Sequence, residues 1–230
     1  MSRRPAGRVV VALDGPAGAG KSTASRMLAE RLGYVLVDTG ALYRGVALAS
    51  QERGIDWDDG PALGALVDTL ALGFVRDGDK SLLTIDGRDR SGEIRTPAIS
   101  DGASRVSRHR EVRAALLGLQ RRLGAAGGVV LEGRDIGTVV FPDAEVKVFL
   151  TASDEARAKR RHDELHAAGH DAALAEVLAD IRERDRRDSE RDVAPLKPAA
   201  DAVLLDTSTI GLDEVVDQLE RIVRARTEAG

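Results

Sequence analysis

Val9-Val10-Val11-Ala12-Leu13-Asp14-Gly15-Pro16-Ala17-Gly18-Ala19-Gly20-Lys21-Ser22 begins as a short continuous apolar run and ends on the pattern G-x-x-x-x-G-K-[ST]. The run reads as a buried strand, and the residues from Thr23 to Leu32 read as a helix. Between them, small residues let successive backbone N–H groups curl around a phosphate. Lys21 can reach the β and γ oxygens, and the Ser22 hydroxyl can face Mg²⁺. The helix start adds free amides and the positive end of its dipole. Gly15, Pro16, Ala17, Gly18, Ala19, Gly20, Lys21, Ser22 and Thr23 are therefore expected to hold a nucleoside triphosphate, with Ser22 as the metal residue. The loop does not say where the phosphate goes.

The chain has 230 residues, enough for one sizeable core with inserts. At 43% apolar and 31% charged residues it has the balance of a globular protein, and with aromatics at 3% the interior must be filled by aliphatic side chains. The absence of cysteine removes disulfides, thiolate catalysis and Cys-ligated zinc together. It suits a reducing compartment, and a cytoplasmic location is expected. The start Met1 to Arg8 is basic like a signal peptide, but the apolar run behind it stops at Asp14, too short for the core of such a signal. No run approaches the ~18 apolar residues of a membrane span. A net charge of −4 offers no global attraction to a nucleic-acid polymer.

Further short apolar runs recur at Val35 to Val37, Val129 to Leu131, Val146 to Leu150 and Ala202 to Leu205. Helical patterns near 41–53, 96–125, 154–190 and 212–226 lie between and after them, so the class is α/β, a doubly wound five-stranded parallel sheet flanked by helices. One region breaks this alternation. Leu72 to Arg76, Ser81 to Ile85 and Arg88 to Arg90 are joined by Asp77-Gly78-Asp79 and Asp86-Gly87, turns that mark a small antiparallel insert at about 66–95. Ligands of open parallel sheets gather at the carboxyl ends of the strands. There the sequence places Asp14, then Asp38 to Arg44, Glu132 to Asp135, Thr151 to Asp154, and Asp206-Thr207.

A triphosphate site needs cations beyond the loop, and Arg44, Arg113 and Arg134 fall near that edge; the planar guanidinium binds phosphate oxygens in pairs. From Arg182 to Asp192, five arginines are matched by five acids among and beside them, so the stretch has no excess charge for a polyanion. Arg184, Asp188 and Arg191 share one helical face, which fits either salt-bridge lacing or a grip on a nucleotide. His162, His166 and His170 are four apart, but Asp163 stands where a zinc-protease motif needs glutamate, and Gly169 ends the helix before His170. Arg157, Lys159, Arg160 and Arg161 crowd a helix start against its dipole. They form either a solvated basic face or part of a lid at about 155–170 that closes over the triphosphate.

Together these residues resemble the bacterial cytidylate kinases among the P-loop nucleoside monophosphate kinases, over nearly the whole chain. The resemblance is carried by Asp14 to Ser22, Asp38 to Arg44, Ser91 to Thr96, Gly133 to Ala144, and Glu183-Arg184-Asp185 to Val193-Ala194-Pro195-Leu196. It implies a single kinase domain over 1–230, a P-loop NTPase-type sheet, and an insert that serves monophosphate binding. It also implies transfer of the γ-phosphoryl group of ATP, with Mg, to CMP and dCMP in pyrimidine metabolism. Cytosine would meet Ser104, Arg113 and Asp135, the ribose Arg184 and Asp188, and the acceptor phosphate Arg44, Arg134 and Arg191. Thr39 joins the acceptor set in place of a serine found in some relatives and keeps the hydroxyl. Lys21, Arg44, Arg134 and Asp135 are the expected catalytic group, and Arg160 is expected at ATP. The expected partners are ATP, CMP and dCMP alone, bound by a monomer. Two rivals are phosphorylation of another small acceptor and a nucleotide-dependent switch; a substrate panel and acceptor-stimulated ADP release separate them.

Overall fold

Every apolar run singled out above is a strand of one sheet. In the computed structural model, which describes residues 8–78 and 80–228, the strands are β1 (Val10–Asp14), β2 (Val35–Asp38), β3 (Leu72–Asp77), β4 (Lys80–Ile85), β5 (Arg88–Asp89), β6 (Val129–Gly133), β7 (Val146–Thr151) and β8 (Val203–Asp206). The basic start from Met1 to Gly7 and Asp79 of the first insert turn lie outside the described residues. Five strands form a parallel sheet in the order β2-β6-β1-β7-β8, while β3-β4-β5 form a separate antiparallel sheet. The order places β1 in the middle, with β6 and β7 on either side; Asp14 is level with Gly133 and Phe149, and Thr151 with Asp206. The strand ends that carry polar residues are thus in register around the phosphate loop.

The helices are α1 (Lys21–Leu32), α2 (Thr39–Glu52), α3 (Gly60–Thr69), α4 (Pro97–Val106), α5 (Arg110–Gly124), α6 (Asp154–Ala167), α7 (Leu174–Glu190) and α8 (Leu212–Glu228). They depart from the sequence reading at two places. Helix α3 was not expected, because its two glycines and one proline weaken the helical signal. Pro61 nevertheless suits the first turn, and the Asp59 carboxylate accepts the Ala62 N–H at 3.0 Å as an N-cap. The pattern over 96–125 is two helices, broken where the Ser107 hydroxyl donates to the Ser104 carbonyl at 2.9 Å. The pattern over 154–190 is two helices parted at Gly169, the helix end expected there, whose φ of 80° is a left-handed turn.

The chain divides into two compact units, one taking the residues up to Val35 and from Ala126 onward, the other Leu36–Ala125. The antiparallel insert belongs to the second unit. In the first, β1 and β6 are buried along their whole length, and α1 packs on β6 and α8. Helices α6 and α7 pack on each other through Ala158, Val177 and Ile181. The second unit has its own core, in which Leu42, Val46, Leu63, Leu83, Ile94 and Leu116 are buried. Leu83 and Ile85 come from β4, so one face of the insert shares that core, which supplies the stability two short hairpins lack alone.

Candidate active site

The phosphate loop is shaped by its glycines. A Cβ on Gly15 would lie 2.0 Å from the Leu150 carbonyl oxygen, so only glycine lets the chain leave β1 past β7. Gly20 caps α1 in a left-handed conformation with φ 83° and no side-chain cap, so the first amides of α1 keep their donors for an anion. Lys21 is buried, and its Nζ donates to the Pro16 carbonyl at 2.5 Å. Burial and then the charge of Arg134 push its ammonium well below its usual pKa. The Ser22 hydroxyl donates to Glu132 Oε1 at 2.9 Å. A hydroxyl paired with a carboxylate supplies hard oxygen donors, which suit Mg²⁺, and Ser22 and Glu132 are the residues that would hold it.

The cations at the start of α6 separate into two kinds. The Arg160 guanidinium donates to Thr207 Oγ1 at 3.0 Å and to the Thr207 carbonyl, and its Nη1 lies 3.8 Å from where a Gly20 Cβ would stand. It therefore flanks the loop, where the resemblance expects ATP. Arg157 is only 3% exposed and is not a solvated lid cation. It donates to the Ala17 carbonyl at 3.0 Å and the Ala152 carbonyl at 3.1 Å, and pairs with Asp154 and, at 2.6 Å, with Asp185. Lys159 and Arg161 remain outside, paired with Asp163 and Glu164. His162 and His166 have their rings 6.2 Å apart on the same helix.

The carboxyl end of β6 leads into the second cluster of this unit. Asp14, at the end of β1, accepts the backbone N–H groups of Ile136 and Gly137, each at 2.8 Å, and so pins the segment holding Arg134 and Asp135. That segment continues as a single π-helical turn, Ile136–Val140, which the sequence did not announce. Burial raises the Asp14 pKa to about 6 against the opposing pull of those two amides. Arg134 donates from Nε to Asp188 Oδ2 at 3.0 Å, and Arg191 stands 3.9 Å from Asp135. Asp135, Asp188 and Arg191 are all buried. Burial would raise the Asp188 pKa, but the charges of Arg134, Arg184 and Arg191 outweigh it and hold the carboxyl below the usual range.

The Asp180 to Asp192 stretch is divided between two faces of α7 and its end, one laced by exposed ion pairs and one turned toward Arg134 and Asp135. Arg182 and Arg186 form exposed pairs with Asp154, Glu155, Glu183 and Glu190. Arg184 and Asp188 turn inward, and Arg191, just beyond the helix, joins them. The electrostatic influence of Arg134 and Arg184 on Lys21 shows how near this cluster lies to the phosphate loop.

The remaining candidates belong to the second unit. Arg44 is paired with Asp38 at 2.6 Å, and the same carboxylate caps α2 by accepting the Ala41 N–H at 3.0 Å; buried Thr39 begins that helix. The Arg113 guanidinium donates to the Ser107 carbonyl at 3.1 Å and lies 5.5 Å from the centre of the Tyr43 ring. Ser107 also binds the Ser104 carbonyl, so the break between α4 and α5 joins two of the expected residues. The Ser104 hydroxyl itself is buried without a hydrogen-bond partner.

The model of the cytidylate kinase family matches residues 11–225. The chain belongs to the cytidylate kinase family. A cytidylate kinase of Geobacter sp. (strain M21) is 51% identical over 96% of this chain and 95% of its own length. That of Exiguobacterium sibiricum is 49% identical over 94% of this chain and 96% of its own length. Among solved structures, an uncharacterized protein from Eubacterium ventriosum is similar in fold at a TM-score of 0.55 and 12% identity, covering 95% of this chain and 99% of that one. As a cytidylate kinase family member the chain is a kinase that takes small nucleotides. Its family membership also gives a context to residues the sequence reading left without a role. In the sequence Glu132 reads only as a polar strand end, and it meets Ser22 because β6 pairs with β1. Asp14, Asp38 and Ser107 orient other candidates, and nothing in their local spacing announced those contacts.

Proposed function

We propose that the protein transfers the γ-phosphoryl group of ATP to the 5′-phosphate of CMP, and of dCMP, giving ADP and the diphosphate. The observation that carries this reading is the cluster of half-buried Arg134 with buried Asp135, Asp188 and Arg191 beside Lys21, in a chain of the cytidylate kinase family. A second anion site next to a phosphate loop is what a phosphoryl acceptor needs. Lys21 and the loop amides take the donor's phosphates, Arg160 flanks them, and Arg134 and Arg191 take the acceptor phosphate. No general base is required, because that phosphate is mostly ionised at neutral pH. The work of the chain is to align two polyanions and neutralise the charge between them. When bound, Mg²⁺ neutralises charge developing on the β and γ oxygens.

The Asp135 carboxylate can accept the exocyclic amino group of cytosine, whereas uracil would turn a carbonyl toward it and leave both unpaired. Arg184 and Asp188 suit a ribose hydroxyl. Thr39, Arg44, Ser104 and Arg113 enter on the family resemblance, and the unpartnered Ser104 hydroxyl supports it within its own unit. The test follows ADP release from Mg-ATP with CMP, dCMP, UMP, AMP and GMP in turn. CMP and dCMP should be the preferred acceptors; equal rates with UMP, or ADP release without any acceptor preference, would overturn the reading.

A further inference from the structure

We propose that Arg157 is a positioning residue that ties the phosphate loop to α7, the helix carrying Arg184 and Asp188. Its place is electrostatically unfavourable: a cation in the first turns of α6 opposes the helix dipole, and a buried guanidinium loses its hydration. Four acceptors offset that cost, the carbonyls of Ala17 and Ala152 and the carboxylates of Asp154 and Asp185. They come from four places: the phosphate loop, the end of β7, the start of α6 itself, and α7.

The Ala17 contact sets the aim of an amide. In a trans peptide the C=O and the following N–H point in opposite directions. A carbonyl of Ala17 held outward by Arg157 therefore turns the Gly18 N–H the other way, toward the interior of the loop. The backbone of α6 is the seat against which this happens. A Cβ on Gly18 would come within 3.1 Å of both the Cβ and the carbonyl oxygen of Arg157, so the glycine is what lets the loop lie on the helix.

At its other end the same guanidinium grips Asp185, the neighbour of Arg184 and one turn before Asp188 on α7. A helix moves as a unit, so a shift of Asp185 carries those two residues with it. Phosphate in the loop and acceptor on α7 thus act on one side chain from opposite sides. Each should alter the other's affinity by the same factor, since coupling between two sites is reciprocal. This rests on the reading that α7 holds the acceptor. Lysine cannot replace arginine here, because one compact ammonium does not span four acceptors of this spread.

The experiment is isothermal titration of the parent, Arg157→Lys, Arg157→Met and Asp185→Asn with CMP, with a non-hydrolysable ATP analogue and Mg²⁺, and with CMP after saturation by that analogue. In the parent the analogue should change the Kd of CMP by about tenfold. In Arg157→Lys and Asp185→Asn each nucleotide should still bind alone while that factor falls to about one, a loss that mere destabilisation does not produce. Arg157→Met should also weaken the analogue; if it does not fold, the other two variants carry the test. An unchanged factor in Asp185→Asn, or no coupling in the parent, would overturn the proposal. A parent that binds the analogue but no CMP would overturn it together with the acceptor reading it rests on.

Discussion

Asp14 is a buried carboxylate that spends both oxygens on backbone amides of the segment after β6. Burial lifts its pKa from 3.8 to about 6, so between those values the folded chain binds a proton that the unfolded chain has released. Stability from this group is thus fully present below the ordinary carboxylate pKa and is lost as pH rises through about 6. Across that window the difference between parent and Asp14→Asn should change by on the order of 3 kcal/mol, in urea titrations without nucleotide. Parallel stability curves would refute it. Nucleotide is left out because a phosphate monoester titrates near the same pH. Asp135 is instead proposed to read the base. Replacing Asp135 by alanine removes one charge-assisted hydrogen bond and should lower kcat/KM for CMP about 100-fold, leaving the Kd of ATP unchanged. Equal loss on both nucleotides would take Asp135 out of base recognition.

At the scale of elements, the strands were legible because buried parallel strands are short continuous apolar runs, and the insert because Gly78 and Gly87 supply the positive φ its turns require. Helix α3 was not, because the residue that weakens its local signal is the one its packing needs. A Cβ on Gly64 would stand 2.6 Å from the Cβ of Glu111, so α3 and α5 meet through that glycine. Gly118 on α5 is exposed and meets only the end of a flexible arginine. The same substitution should therefore have opposite signs at the two sites. Gly64→Ala should destabilise by about 1–3 kcal/mol, and Gly118→Ala should stabilise by about 0.5–1 kcal/mol. Both can be read from unfolding followed by the fluorescence of Trp57, which lies in the same unit and donates to the Ala47 carbonyl at 3.1 Å. Two changes of the same sign would discredit this account of α3.

For the whole molecule, charge is balanced where it is dense. The exposed arginines of α7 are spent on neighbouring carboxylates, and the net charge is −4. No retention of single- or double-stranded nucleic acid is expected at physiological ionic strength in a gel-shift assay; salt-dependent binding would mean that those pairs open. The same balance explains what could be foreseen of the site. The nine residues from Gly15 to Thr23 are contiguous, and their conformation and donors follow from glycine φ angles and one lysine. The acceptor set, scattered from Thr39 to Arg191, was legible mainly through family resemblance.

What can be read in a short window of sequence is what short-range physics governs: an apolar run, a glycine that accepts a left-handed turn, a helix start with free amides. Those sufficed for the α/β class and the phosphate loop, whereas the family was legible only in motifs spread over nearly the whole chain. Strand order and register were needed for the rest. The Ser22 hydroxyl meets Glu132 at a separation of 110 residues because β6 lies beside β1, and neither residue's neighbours encode that. The inward turn of Arg184 and Asp188, and the burial of Arg157 between the loop and α7, arise the same way. Helical spacing groups side chains on a face, but only the surface packed against that face settles whether a charge meets solvent or a partner.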